Sequence, residues 1–80
     1  MKKEEIISVA ALKEIRTCTG KKVKSAKTKR DQISIYSNKT VYHIEIRNLN
    51  EEDDFVRLSI TKNKVKSLDD LMDFIKRSFA

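Results

Sequence analysis

The middle of the chain alternates apolar and polar residues, the pattern of strands with one buried face. Gln32 to Tyr36 alternates first, residues 37–39 are turn-forming, and Thr40 to Arg47 alternates again. After a polar, acidic stretch from Asn48 to Asp54, the alternation returns from Phe55 to Thr61. Because short connections favour antiparallel neighbours, the pattern predicts a three-stranded antiparallel β-meander.

The segment before the meander has a helical spacing. Between Glu4 and Cys18, apolar residues recur at steps of four, four and three, which predicts an N-terminal helix. They are Ile7, Ala11, Ile15 and Cys18, with Leu12 beside them. Gly20, the one glycine of the chain, suits the left-handed position that follows a helix end. We therefore expect this helix to end near Thr19.

The last segment carries the clearest helical pattern. Ser67 stands where an N-cap is expected, and Asp69 and Asp70 follow where the helix dipole favours negative charge. The apolar residues recur at helical spacing, as Leu68, Leu71, Met72, Phe74, Ile75 and Phe79. The predicted fold class is α+β, with an N-terminal helix, a three-stranded antiparallel meander and a C-terminal helix. Both helices are expected on one sheet face, in a single small domain over residues 1–80.

Strand alternation divides the predicted sheet into two faces. The apolar face, which the helices would cover, holds Ile33, Ile35, Tyr42, Ile44, Ile46, Val56, Leu58 and Ile60. The opposite face is polar, and antiparallel sheets commonly leave such a face in water. It mixes aromatic rings with guanidinium groups, from Tyr36, Arg47, Phe55 and Arg57, around Glu45. Unpaired bases stack on such groups, and an ordinary solvated surface is the alternative.

Charge is unevenly distributed along the chain. The net charge is +6, from 18 basic and 12 acidic residues. Residues 21–30 carry six basic residues and no acid, namely Lys21, Lys22, Lys24, Lys27, Lys29 and Arg30. Only Val23 and Ala26 are apolar there, so the segment is predicted to be mostly loop, with a ragged edge strand as the alternative. Such a positive region attracts phosphate or an acidic protein surface.

Length and composition exclude several functional classes. In a domain of about 80 residues, a single hydrophobic core supplies only a few kcal/mol of net stability, so a deep substrate cleft is not expected. No run approaches the ~18 apolar residues of a membrane span, and residues 1–5 include two acids where a secretory signal would need an apolar stretch, so no such signal is expected. We therefore expect a cytoplasmic protein without a membrane partner. Cys18 is the only cysteine, so no internal disulfide or cysteine-based zinc pattern is available.

No catalytic, metal or cofactor site is predicted. His43, the only histidine, has no assignable nucleophile and carboxylate set, and Cys18 is expected to be a packing residue. The acidic run Glu51 to Asp54 lacks the alternating ligands of an EF-hand, and one glycine is too few for a phosphate-binding loop. Asp31 with Glu45-Ile46-Arg47 resembles the Asp and Glu-x-Lys pattern of metal-dependent restriction-type nucleases. Arginine replaces the lysine, however, and the motif is short, so no enzyme is predicted.

The predicted function is non-catalytic nucleic-acid binding, to DNA or RNA. The Lys-rich segment would supply phosphate contacts, and the polar sheet face would add further contacts. The predicted site comprises Lys21, Lys22, Lys24, Lys27, Lys29, Arg30, Tyr36, Arg47, Phe55 and Arg57. The alternative is a small protein-protein interaction module, such as an inhibitor or accessory factor from a phage or mobile element, that binds an acidic partner surface. A homodimer that pairs through an edge strand is also compatible with the pattern.

Overall fold

A computed structural model describes residues 7–79, and within that range the chain forms one five-stranded antiparallel sheet and one α-helix. The strand order is β1-β5-β4-β3-β2. The elements are β1 (Lys13–Glu14), β2 (Lys21–Lys27), β3 (Asp31–Ser37), β4 (Val41–Asn48), β5 (Phe55–Thr61) and α1 (Leu68–Phe79). Short 3-10 turns at Val9–Ala11 and Lys62–Lys64 precede β1 and α1.

The three central strands form where apolar and polar residues alternate, which confirms that part of the prediction. Ile33 lies opposite Ile46, and Ile35 lies opposite Ile44 in the β3–β4 pair. Ile44 also lies opposite Leu58 in the β4–β5 pair. Because directly opposed residues of antiparallel strands share a face, these side chains make one continuous apolar layer. All five are buried.

The helix α1 covers this layer, as predicted from its spacing. The Ser67 hydroxyl accepts a hydrogen bond from the Asp70 N–H at 3.1 Å and thereby caps the helix. The buried helix residues that join the core are Leu71, Met72, Phe74 and Ile75. Asp69 in the first turn forms an ion pair with Lys24 Nζ on β2 at 2.9 Å. The core therefore lies between one face of the sheet and one helix.

The predicted N-terminal helix is wrong for the residues that the structure describes; residues 4–6 of that prediction lie outside them. Residues 9–11 form a 3-10 turn, and β1 pairs with β5. The apolar residues with helical spacing are divided between the two faces of the sheet. Ile7 lies in the core, whereas Cys18 lies near Glu45 on the face away from α1. A helix would place both on one side, so their spacing did not reflect a shared environment.

The prediction that residues 21–30 are mostly loop is also wrong, because Lys21–Lys27 is the edge strand β2. Its register with β3 shifts between Lys22 and Lys24, and this β-bulge interrupts the alternation. An edge strand also tolerates charged side chains, since lysines discourage pairing with another chain. The sheet thus has five strands, where three were expected. Among the described residues, α1 is the only α-helix on the apolar face.

Candidate nucleic-acid interface

The face of the sheet away from α1, the outer face, carries three rows of directly opposed residues. The upper row consists of Lys27, Gln32, Arg47 and Phe55. The middle row consists of Ser25, Ser34, Glu45 and Arg57. The lower row consists of Lys22, Tyr36, His43, Ser59 and Lys13. Six of the ten predicted site residues therefore share this face: Lys22, Lys27, Tyr36, Arg47, Phe55 and Arg57.

Residues 15–20, the strap, cross the outer face because the consecutive strands β1 and β2 lie at opposite edges of the sheet. Four spacings between strands amount to about 19 Å, a distance that six residues cover only when nearly extended. Arg57 Nη1 donates to the Arg16 carbonyl at 3.0 Å, and the Thr19 N–H donates to His43 Nδ1 at 2.9 Å. These contacts lie on the middle and lower rows. The strap therefore covers part of the face that was expected to be open, and the upper row lies beyond its contacts.

The lower end of the strap is anchored to the turn between β3 and β4. Asn38 Nδ2 donates to the Thr19 carbonyl at 2.9 Å, and the Thr19 hydroxyl donates to Asn38 Oδ1 at 3.1 Å. Gly20 follows with a φ of +99°, and a Cβ there would overlap the carbonyl oxygen of Ser37. The expected left-handed conformation of Gly20 is thus confirmed, but no α-helix precedes it within the described residues. Sequence reasoning missed Arg16, Thr19 and Asn38, and the single glycine was the only signal near them.

Arg47, Phe55, Arg57 and Glu45 form one group of interacting side chains, the arginine–phenylalanine cluster. Glu45 Oε2 accepts hydrogen bonds from Arg47 Nη2 and Arg57 Nε, both at 3.0 Å. The guanidinium carbons of Arg47 and Arg57 lie 4.7 and 4.3 Å from the Phe55 ring centroid, within cation–π distance. The Glu45 side chain is only 17% exposed, so the two arginines compensate its buried charge. Phe55 itself is 40% exposed.

Two shallow hollows adjoin Phe55. The larger, of about 380 Å³, lies between β5 and the start of the strap and is lined by Glu14, Ile15, Arg16, Phe55, Val56 and Arg57. The smaller, of about 210 Å³, lies toward α1 and includes Arg30, Asp54 and Phe79 in its lining. The exposed ring of Phe55 therefore borders a concave surface on the strap side and another on the helix side.

The six basic residues between positions 21 and 30 have different surroundings. Lys24 pairs with Asp69 on the helix side. Arg30 Nε pairs with Asp31 at 3.1 Å, and its Nη2 donates to the Phe79 carbonyl, so Arg30 ties the β2–β3 turn to the end of α1. The remaining four are exposed, and no ion pair joins them to an acid within residues 7–79: Lys21, Lys22, Lys27 and Lys29.

The acidic run, residues 51–54, lies in the loop between β4 and β5. The Asn48 side chain organises this loop, since its Oδ1 accepts from the Asn50 N–H at 2.7 Å and its Nδ2 donates to Asp54 Oδ2 at 3.2 Å. Arg47 Nη1 adds a hydrogen bond to the Glu52 carbonyl at 2.7 Å. Among the described residues, no ion pair joins the run to the basic residues 21–30. The loop is thus a separate negative region beside Phe55.

The two carboxylates of the nuclease-like pattern lie on opposite faces of the sheet. Asp31 is buried on the helix side with Arg30 as its partner, whereas Glu45 lies on the outer face between two arginines. A shared metal ion would need both on one side. In the part of the chain that the structure describes, no three His, Cys, Asp or Glu side chains come together to hold a metal ion.

Cys18 is a free thiol on the strap. The sequence pattern had predicted that it packs in the core, and this prediction is wrong. Burial raises the pKa of the Cys18 thiol, the negative charge of Glu45 raises it further, and the positive charge of Arg57 opposes the rise. A raised pKa keeps the thiol protonated near neutral pH, and a protonated thiol is a poor nucleophile. His43 is engaged as well, because its Nδ1 accepts the Thr19 N–H.

Comparison of the chain with protein-family models, with curated protein sequences and with solved structures gives no match. Across residues 7–79, no helix combines the length and the apolar character required to cross a membrane. The function is therefore inferred from the chemistry of β2 and the outer face.

Proposed function

We propose that this chain is a small, non-catalytic nucleic-acid-binding protein of the cytoplasm. The proposal depends on the four exposed lysines along β2 and its following turn, which have no acidic partner among the described residues. Lysines in such a position bind phosphate groups without reading the sequence. The free thiol of Cys18 suits the reducing conditions of the cytoplasm.

The charges also favour one side of the molecule for a polyanion. On the outer face, Glu45 is the one acid in the three rows, against the basic residues Lys13, Lys22, Lys27, Arg47 and Arg57. On the opposite side, the exposed aspartates Asp69, Asp70 and Asp73 of α1 balance the exposed basic residues Lys64, Lys66 and Arg77, so this side has no comparable excess of positive charge. Nucleic acid would be attracted to the outer face and repelled by the first turn of α1. This asymmetry supports an interface built from β2 and the adjoining rows.

Fluorescence anisotropy with labelled single-stranded DNA, duplex DNA and single-stranded RNA over a salt series tests the proposal. We expect log affinity to fall linearly with log salt, with a slope of about 0.7 to 0.9 per phosphate contact. Replacing Lys22 and Lys27 with glutamine should remove roughly two phosphate contacts and make the salt dependence correspondingly less steep. A variant with glutamine at Lys64 and Lys66, which are exposed next to α1, removes the same charge and should change the slope little. Absence of binding to all three ligands at about 50 mM salt, where screening is weak, would contradict the proposal.

A second candidate function rests on the free edge of β2. Among residues 7–79, this strand pairs only with β3, so its other side presents backbone groups to which an extended segment of another protein can add. Two copies of β2 would bring lysines together, so an acidic partner segment fits this edge better than a second copy of the chain. If the chain binds acidic peptides and none of the nucleic acids, this second function replaces the first.

A further inference from the structure

The Phe55 ring is an exposed aromatic group held in place by charged neighbours. Arg47 and Arg57 lie within 5 Å of its centroid, and Glu45 fixes both guanidinium groups through hydrogen bonds of 3.0 Å. The ring is therefore oriented before any ligand arrives, although 40% of the residue remains accessible. A flat ring flanked by guanidinium groups is the surface on which unpaired bases stack.

The larger hollow beside Phe55 has the size and chemistry for a small flat group. Its volume of about 380 Å³ lies near the lower end of the range of roughly 300 to 1,000 Å³ that is typical of small-ligand sites. Ile15 supplies an apolar lining, and the guanidinium group of Arg57 lies 4.3 Å from the centroid of the Phe55 ring at the border of the hollow. We propose that the outer face binds single-stranded nucleic acid, with an unpaired base stacked on Phe55 and seated in this hollow.

The upper row provides the path along which such a strand reaches Phe55. Lys27, Gln32, Arg47 and Phe55 are directly opposed across four strands, which places the first and last about 14 Å apart. Lys27 and Arg47 offer positive charge along this path. The acidic loop at residues 51–54 lies beyond it and repels phosphate. The phosphate backbone is thus directed toward the Lys27 and Arg47 side, and a base points to Phe55.

Duplex nucleic acid cannot use the same contact. Its bases are stacked on one another, so only their edges are accessible in the grooves. A duplex would contact the lysines of β2 through phosphates and leave Phe55 without a stacking partner. This inference rests on the proposed function, and it further specifies the strandedness of the ligand and the residue on which that specificity depends.

The decisive variant is Phe55→Ala, titrated with labelled oligothymidine and with the duplex of the same length. Loss of stacking should weaken binding of the single strand about 5-fold to 150-fold, and binding of the duplex by less than about 2-fold. Phe55→Tyr retains a stacking ring and should bind the single strand nearly as well as the natural chain. Val9→Ala removes another exposed apolar side chain, outside the three rows, and serves as the matched control. Circular dichroism verifies that each variant is folded.

A direct measurement uses Phe55→Trp, because the chain contains no other tryptophan. Oligothymidine should quench the fluorescence of this variant, whereas the duplex should change it little. If Phe55→Ala weakens both ligands equally or neither, or if the tryptophan is not quenched, the inference is wrong while nucleic-acid binding itself stands. If neither the single strand nor the duplex binds the natural chain, the proposed function fails, and the inference fails with it.

Discussion

Replacing Gly20 with alanine tests whether the strap is a stabilising part of the fold. Gly20 has a φ of +99°, and the added Cβ would overlap the carbonyl oxygen of Ser37 and lie 2.9 Å from the Asn38 side chain. A residue other than glycine in such a conformation costs about 1 to 3 kcal/mol. The overlap with backbone adds to this cost, since a carbonyl group of a paired strand cannot rotate away as a side chain can.

The cost has an upper limit, because the strap can detach from the outer face. Detachment would break the hydrogen bonds from Arg57 to Arg16, from Thr19 to His43 and from Asn38 to Thr19. At about 0.5 to 1.5 kcal/mol each, these amount to roughly 1.5 to 4.5 kcal/mol. We therefore expect Gly20→Ala to lower the free energy of unfolding by about 2 to 4 kcal/mol. That is a large fraction of the roughly 4 to 12 kcal/mol expected for a domain of this size.

Urea denaturation followed by circular dichroism measures the change. Ser25→Ala is the matched control, because this exposed position lies on β2 and should change stability by less than about 0.5 kcal/mol. Local detachment would also make Cys18 react faster with a thiol reagent, since the thiol lies on the strap. If Gly20→Ala leaves both the stability and the Cys18 reactivity unchanged, the reasoning about the strap is refuted.

Three further predictions concern the core, the cluster and the thiol. Leu71→Ala should destabilise the chain by about 2 to 5 kcal/mol in urea, because Leu71 is fully buried; a change below 1 kcal/mol would contradict the packing of α1. Glu45→Gln leaves Arg47 and Arg57 without their carboxylate and should lower stability by about 1 to 3 kcal/mol in thermal unfolding, whereas an unchanged melting temperature would mean that the cluster contributes nothing. The raised pKa of Cys18 means that its stabilising contribution is complete below the unfolded-state pKa of about 8.5 and is lost as the pH rises through the folded-state pKa. The free energy of unfolding should therefore fall with rising pH more steeply in the natural chain than in Cys18→Ser. If it falls equally steeply in both, Cys18 does not have a raised pKa in the folded state.

The meander and α1 were predictable because their patterns are local. Most residues on the buried face of β3, β4 and β5 are apolar and lie two apart in the sequence, and a strand places residues two apart on the same side of the sheet. The capping serine and the helical spacing after it are likewise local signals, and they predict α1. The predicted core therefore agrees closely with the buried residues of β3 to β5 and α1.

Residues 7–27 were not predictable in the same way. The spacing of Ile7 and Cys18 fitted a helix, but their environments are set by pairing of β1 with β5 and by the strap, which are contacts distant in sequence. β2 was predicted to be mostly loop, with a ragged edge strand only as the alternative, because an edge strand satisfies its backbone through β3 and can leave its side chains in water. A bulge between Lys22 and Lys24 removed what alternation remained.

The sequence by itself determined the chemistry available to this protein: a positive segment with no acid, an outer face that mixes rings and guanidinium groups, and one amphipathic helix. Only the tertiary structure decided which of these groups meet. It places Lys24 and Arg30 in structural ion pairs, brings Arg47, Phe55 and Arg57 together around Glu45, and covers part of the outer face with the strap. The physical reason is that strand order and register are set by the total burial and hydrogen bonding of the whole sheet, which no short window of residues contains.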